Sequence, residues 1–199
     1  YSLVKAATGE QLLAAMLANF RQVFAAASRD AQTDLSPYET LTLASLIEKE
    51  SGVPSERPLI SAVFHNRLRR GMRLQCDPTI IYGLLVEDRY RGAIHVSDIK
   101  DPHPYNTYVH TGLPPGPIAN PGAESLRAAL SPADPDSIFF AANPGGAGDH
   151  SFASTLPAHP QAVAPLRAAP KPPSRLRPTS RRCSSSSPSS SPAAPGPPT

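Results

Sequence analysis

The chain has 199 residues, with 19 Lys+Arg against 16 Asp+Glu, 25 Pro and two Cys. That is long enough to bury a core of its own, and no apolar run approaches the ~20 residues that a bilayer-spanning helix needs. From residue 160 onward there are six basic residues and no acidic one, which leaves 13 basic against 16 acidic in residues 1–159. The basic character therefore belongs to the C-terminal stretch, and no nucleic-acid partner is expected for the domain. Cys76 lies in the body and Cys183 in a Ser/Pro run, so they define no disulfide framework. Residue 1 is Tyr rather than Met, and residues 1–5 read as the interior of a longer chain, with no secretory signal.

The first third has helical periodicity. Thr8 to Gln11 can close a capping box, followed by Leu12, Leu13, Met16, Leu17, Phe20, Val23 and Phe24 at three-to-four spacing, a stripe expected to pack. A second helix starts at Ser36 as N-cap, with Pro37 in the first turn and Glu39 three residues on, and stops at Gly52. A third begins near Ser55 and carries Leu59, Ile60, Val63, Phe64 and Leu68 before Gly71, and Asp77-Pro78 starts a short fourth. After Tyr90 the chain is loop-rich. A short helix follows around residues 123–130, then a strand-like SIFFAA, a Gly-rich turn, and HSFAST as its partner strand. The class is α+β, with a helix-rich first half, a loop-rich centre and short strands near the C-terminal end of the domain. Residues 166–199 are rich in Ser, Pro and Arg and almost free of large apolar side chains, so they cannot offset their ordering entropy and are expected to be a disordered tail. The domain is expected to occupy residues 1–165.

One carboxylate faces an unexpected way. At ~100° per residue, Leu43, Leu46 and Ile47 project at about +20°, −40° and +60° from Glu50, whereas Glu48 lies near 160°. Glu50 thus sits within the apolar stripe and Glu48 on the face where a solvated carboxylate is expected. Desolvation, and a place in the last helical turn beside the negative end of the helix dipole, both favour the protonated form of Glu50. A protonated carboxyl near neutral pH is what a general acid requires. The alternative is a glutamate that turns to water at its helix end or pairs with an arginine.

Further along, Gln75, Asp77 and Thr79 surround a helix start, where free N–H groups favour substrate oxygens, although N-capping alone explains Asp77. Tyr105, Asn106, Thr107 and Tyr108 form a polar and aromatic set in a proline-bounded loop, suited to sugar rings or, equally, to packing. His150 follows a Gly-rich turn, where a histidine bonded to backbone is the ordinary reading. Arg67, Arg69, Arg70 and Arg73 gather at a helix end, as dipole complementarity and solvation would have it. The six histidines show no metal-binding pair at helical spacing, and no metal or cofactor is implied.

Residues 41–167 closely resemble the catalytic domain of the endolytic murein transglycosylase, or YceG-like, family. The resemblance is carried by ASLIEKES at 44–51, ERPLISAVFHNRLRRGMRLQCDPTIIYG at 56–83, PYNTY at 104–108, GLPPGPIANPGAESLRAAL at 112–130 and FFAANPGGAGDHSFASTL at 139–156. It implies that Glu50, the second Glu of E-K-E, is the catalytic acid, and Glu50-Ser51 looks like the Glu-Ser pair of other lytic transglycosylases. Gln75, Asp77, Thr79, Tyr105, Asn106, Thr107 and Tyr108 would then line a sugar cleft, with His150 at its edge. Cys76 stands where the family more often has Thr or Ser, and the Ser/Pro tail is not a family feature.

The implied reaction cleaves the β-1,4 bond between N-acetylmuramic acid and N-acetylglucosamine to leave 1,6-anhydro ends, with roles in cell-wall assembly and glycan chain termination. A lysozyme-like hydrolase and a non-catalytic peptidoglycan-binding fragment are the alternatives. The implied partners are glycan strands and the cell-wall synthesis machinery. The implied location is the periplasmic face of the bacterial inner membrane, held by an anchor that lies outside this chain. Deleting residues 168–199 should leave the melting temperature and activity unchanged, which a thermal melt of the truncated chain checks.

Overall fold

The structure is a computed structural model that describes residues 8–143 and 148–155, so the expected tail lies outside the described residues. Its elements run α1 (Gly9–Ala27), α2 (Pro37–Glu50), α3 (Arg57–Arg69), α4 (Asp77–Val86), a single turn α5 (Val96–Ile99), α6 (Ala123–Leu130) and the strands β1 (Phe139–Ala142) and β2 (His150–Ala153). The α+β class and the order of elements follow the expectation from sequence. Both capping boxes form, Thr8 with Gln11 and Ser36 with Glu39. Among the described residues no helix is long and apolar enough to cross a membrane.

α2 is the centre of the molecule. Thr42 to Ile47 are all buried, because α3, α4 and α6 pack around it. Its polar side chains find partners: Thr42 Oγ1 donates to Tyr38 O (2.8 Å), and Ser45 Oγ donates to Thr42 O (2.7 Å) while accepting from the backbone N–H of Ile118 (2.9 Å). Glu48 is not the solvated carboxylate expected from the helical wheel. It caps the start of α6, accepting from Gly122 N (3.1 Å) and Ser125 Oγ (2.6 Å), and the Ser125 bond above all holds its carboxyl below the usual range.

α3 is gripped at both ends of its polar side. Ser61 Oγ donates to Ala128 O (2.6 Å) and His65 Nε2 to Ala129 O (2.9 Å), which satisfies carbonyls that the end of α6 leaves free. Asn66 Nδ2 donates to Pro135 O and Ser137 O (2.9 Å each), fastening the segment that leads into β1. β1 and β2 form an antiparallel pair, with Phe139 opposite Ala153 and Ala142 opposite His150. Phe140 meets Phe64 of α3 edge-on, at 5.9 Å between ring centres, and so ties the hairpin to the core.

The stripe on α1 packs only in part. Phe20, Val23 and Phe24, in its C-terminal half, lie against the core, but Leu13 is 62% and Leu17 55% exposed.

The hairpin is also held where the α2–α3 connection touches the turn. A Cβ built on Gly52 would meet the carbonyl oxygen of Gly148 at 2.5 Å, and Gly148 itself has φ +93°. The Gly52→Ala variant should therefore lose about 1–3 kcal/mol of stability, read by urea denaturation, as backbone is pushed from backbone.

Candidate active site

Where the end of α2 meets α3, the start of α4 and the hairpin, an open cleft of about 210 Å³ has Glu50 in its wall, with Arg67, Gln75, Asp77, Tyr108 and His150 around it. The hairpin supplies its apolar side, through Phe140, Ala141 and Ala142. Glu50 keeps a partly exposed edge toward the cleft, but its carboxyl is largely withdrawn from water. Burial, reinforced by the negative charge of Asp77, raises its pKa from 4.5 to about 7, against the opposing pull of a Cys76 hydrogen bond, His150 and Arg67. At neutral pH the group is thus divided between acid and carboxylate, able to give a proton or to take one. Beside it, the Ser51 hydroxyl is buried and has no hydrogen-bond partner among the described residues.

Gln75 enters the cleft from a left-handed backbone (φ 51°), a conformation that side chains other than glycine seldom adopt. What holds it there is a closed ring of hydrogen bonds behind the cleft. The Cys76 N–H donates to Thr107 Oγ1 (3.0 Å), and Thr79 Oγ1 donates to Cys76 O (2.7 Å). With its proton used in this way, Thr79 accepts the Thr107 hydroxyl proton at 2.9 Å. The Gln75 N–H completes the clamp by donating to Thr107 O (3.1 Å).

Asp77 does not cap α4: Cys76 occupies the N-cap position, and Asp77 accepts instead from the Tyr108 hydroxyl at 2.5 Å. Burial and this bond push the Tyr108 phenol well above its ordinary pKa, so it stays a donor. Burial pushes the Cys76 thiol up as well, and the Glu50 carboxyl adds to the effect.

Of the residues singled out from sequence, Glu50, Gln75, Asp77, Tyr108 and His150 come together. Four others do not reach the cleft. Thr79 and Thr107 are consumed in the buried ring. Tyr105 lies tilted against Tyr82, at 4.8 Å between ring centres, and packs on the core. Asn106 is 1% exposed and donates through Nδ2 to the carbonyls of Asp98 (3.1 Å), Ile99 (3.1 Å) and Asp101 (2.7 Å), while its Oδ1 accepts from Tyr108 N (3.0 Å). It folds the loop that delivers Tyr108; it does not face the cavity.

Arg67 is the residue whose role the arginine cluster concealed. It is 6% exposed, with Nε donating to Ile138 O (2.7 Å) and Nη1 to Leu74 O (2.5 Å), so it joins α3 to the hairpin while placing a cation in the cleft. The angular test that found Glu50 would have found it: Ile60, Val63 and Phe64 lie at about +20°, −40° and +60° from Arg67. Glu56 was missed for another reason, since its partner His150 is 94 positions away.

Comparison with known proteins shows the family. The YceG-like family model matches residues 1–165, and the chain belongs to that family. It is 41% identical over 128 residues to a Bacillus subtilis protein named endolytic murein transglycosylase, covering 64% of this chain and 34% of that protein. A Streptococcus pneumoniae protein of the same name is 34% identical over 146 residues, 72% of this chain and 26% of its own length. The chain thus spans about a quarter to a third of these relatives. The solved structure of a YceG-like protein from Listeria monocytogenes superimposes with a TM-score of 0.64 at 35% identity, over 81% of this chain and 52% of that one.

Two stability measurements follow. Asn106→Ala should cost about 2–4 kcal/mol, because three carbonyls lose a buried donor, and chemical denaturation reads the loss. For Glu50, a folded-state pKa of about 7 against an ordinary 4.5 means that the folded protein binds the extra proton between those values, so this group's contribution to stability falls as pH rises through that window. Glu50→Gln should therefore be more stable than the native chain at pH 8, by about 1–3 kcal/mol, and should show little difference below pH 4.5.

Proposed function

We propose that this domain is a peptidoglycan lytic transglycosylase that cuts glycan strands between N-acetylmuramic acid and N-acetylglucosamine and leaves 1,6-anhydro ends. The observation that carries the reading is Glu50, a carboxyl poised near neutrality in an open cleft lined by amide, phenol, imidazole and guanidinium groups. The names of the relatives point to the same substrate. Glu50 protonates the glycosidic oxygen, the C1–O bond breaks through an oxocarbenium-like state, and the C6 hydroxyl of the muramic acid closes on C1. Arg67, a buried cation beside Glu50, favours the carboxylate that proton donation leaves behind. Gln75 and Tyr108 offer an amide and a phenol to sugar hydroxyls, and fixing the C6 hydroxyl over C1 is an orientation problem of the kind that lowers barriers by several kcal/mol.

Ordinary glycosidases employ two carboxyl groups. The second carboxylate in this cleft, Asp77, is bound by the Tyr108 hydroxyl, which is why an internal nucleophile suits the site better. Asp77 is also the one observation that favours a lysozyme-like hydrolase, in which water replaces the C6 hydroxyl. On either reading the domain works on the outer face of the bacterial inner membrane, where glycan strands are made, beside the synthesis machinery.

Glu50→Gln should lower turnover on uncrosslinked glycan strands by at least about 10³-fold, since an amide has no acidic proton to give to the leaving oxygen. Glu48→Gln should keep most of the activity. Turnover by the native chain should decline as pH rises through about 7, where Glu50 loses its proton. Mass spectrometry of the products decides between the two reactions: anhydro ends support the lyase, and ends heavier by one water support the hydrolase.

A further inference from the structure

Glu56 closes the 3-10 turn Pro54–Glu56 ahead of α3, outside the cleft wall, yet its carboxylate reaches the hairpin twice. Oε1 accepts the backbone N–H of His150 (2.9 Å) and Oε2 meets His150 Nδ1 at 2.8 Å, with the two side chains only 12% and 9% exposed. The imidazole is further braced by the edge of Phe140, at 5.4 Å between ring centres. A carboxylate oxygen can only accept, so Nδ1 carries the hydrogen. In a neutral imidazole the lone pair then belongs to Nε2, the nitrogen that Glu56 does not engage, on a ring that lines the cleft together with Glu50.

We propose that His150 is the base of the reaction and that Glu56 is the positioning residue that fixes its tautomer. This rests on the glycan-cleaving reading above and refines it: Glu50 does not have to serve as acid and base in turn. Glu50 gives its proton to the leaving oxygen as the C1–O bond breaks. The attacking hydroxyl forms the new C1–O bond and passes its proton to Nε2. The imidazolium then returns that proton to the Glu50 carboxylate, directly or through solvent, and no proton is gained or lost over the cycle. The Nδ1–H bond to Glu56 holds the ring while it is charged, and Arg67 keeps Glu50 in its carboxylate form until the proton returns.

Glu56→Gln, made in the intact chain, is the test. Glutamine has one acceptor oxygen where glutamate has two. If that oxygen keeps the His150 N–H, the amide NH₂ faces Nδ1, and the ring must carry its hydrogen on Nε2 instead, where it can no longer accept. Two-dimensional ¹H–¹⁵N spectra of the imidazole should show Nδ1–H in the native chain and Nε2–H in the variant. Turnover on uncrosslinked glycan strands should fall by about 10²–10⁴-fold, with KM changed much less. Near-native turnover from a variant whose tautomer has switched would overturn the proposal. So would a native spectrum with a bare Nδ1, a measurement that needs neither variant nor substrate and holds even if Glu56→Gln does not fold. A native chain with Nδ1–H in place that cleaves no glycan would instead overturn the glycan reading, and the base assignment with it.

Discussion

α2 has no solvent face from Thr42 to Ile47, and that burial is the constraint on which the rest of the domain depends. A helix enclosed on all sides must end somewhere among its neighbours, and this one ends at Glu50, between α3, α4 and the hairpin. The enclosure withdraws the carboxyl from water, and the opening of the cleft keeps it reachable. Both are needed for a carboxyl that titrates near neutrality and still opens onto a cleft.

The cleft is built from segments that are far apart in sequence. Each is tied down by polar side chains spending their hydrogen bonds on backbone: Asn66 and Arg67 on the approach to β1, Thr79 and Thr107 on the turn at Cys76, Asn106 on the loop before Tyr108. A buried amide or hydroxyl that satisfies loop carbonyls is costly to remove, since its partners are left without water or protein to bond. The rigidity of the site therefore comes largely from residues behind it, with Arg67 both tying the backbone and lining the cleft.

This arrangement also explains why the polar-aromatic loop has two characters. The members of the segment 105–108 serve different sides: Asn106 turns inward to hold three carbonyls, and Tyr108 turns outward to Asp77. Nothing in the residue types distinguishes these fates, since an asparagine suits a sugar hydroxyl as well as it suits a peptide carbonyl.

From sequence alone came the helix starts at Thr8 and Ser36, the α+β order, the terminal hairpin and the inward direction of Glu50. All of these are local: capping residues lie three apart, and helical phase is set by neighbours within two turns. The same phase was readable for Arg67, although its charge and its basic neighbours suggested solvent. Tertiary structure alone decided that Asp77 binds Tyr108 instead of capping α4, that Glu48 caps α6, that Leu13 and Leu17 stay exposed, and that Glu56 holds His150. Each of these outcomes depends on which distant segment arrives opposite a side chain, and a contact across 94 positions leaves no periodicity for the sequence to display.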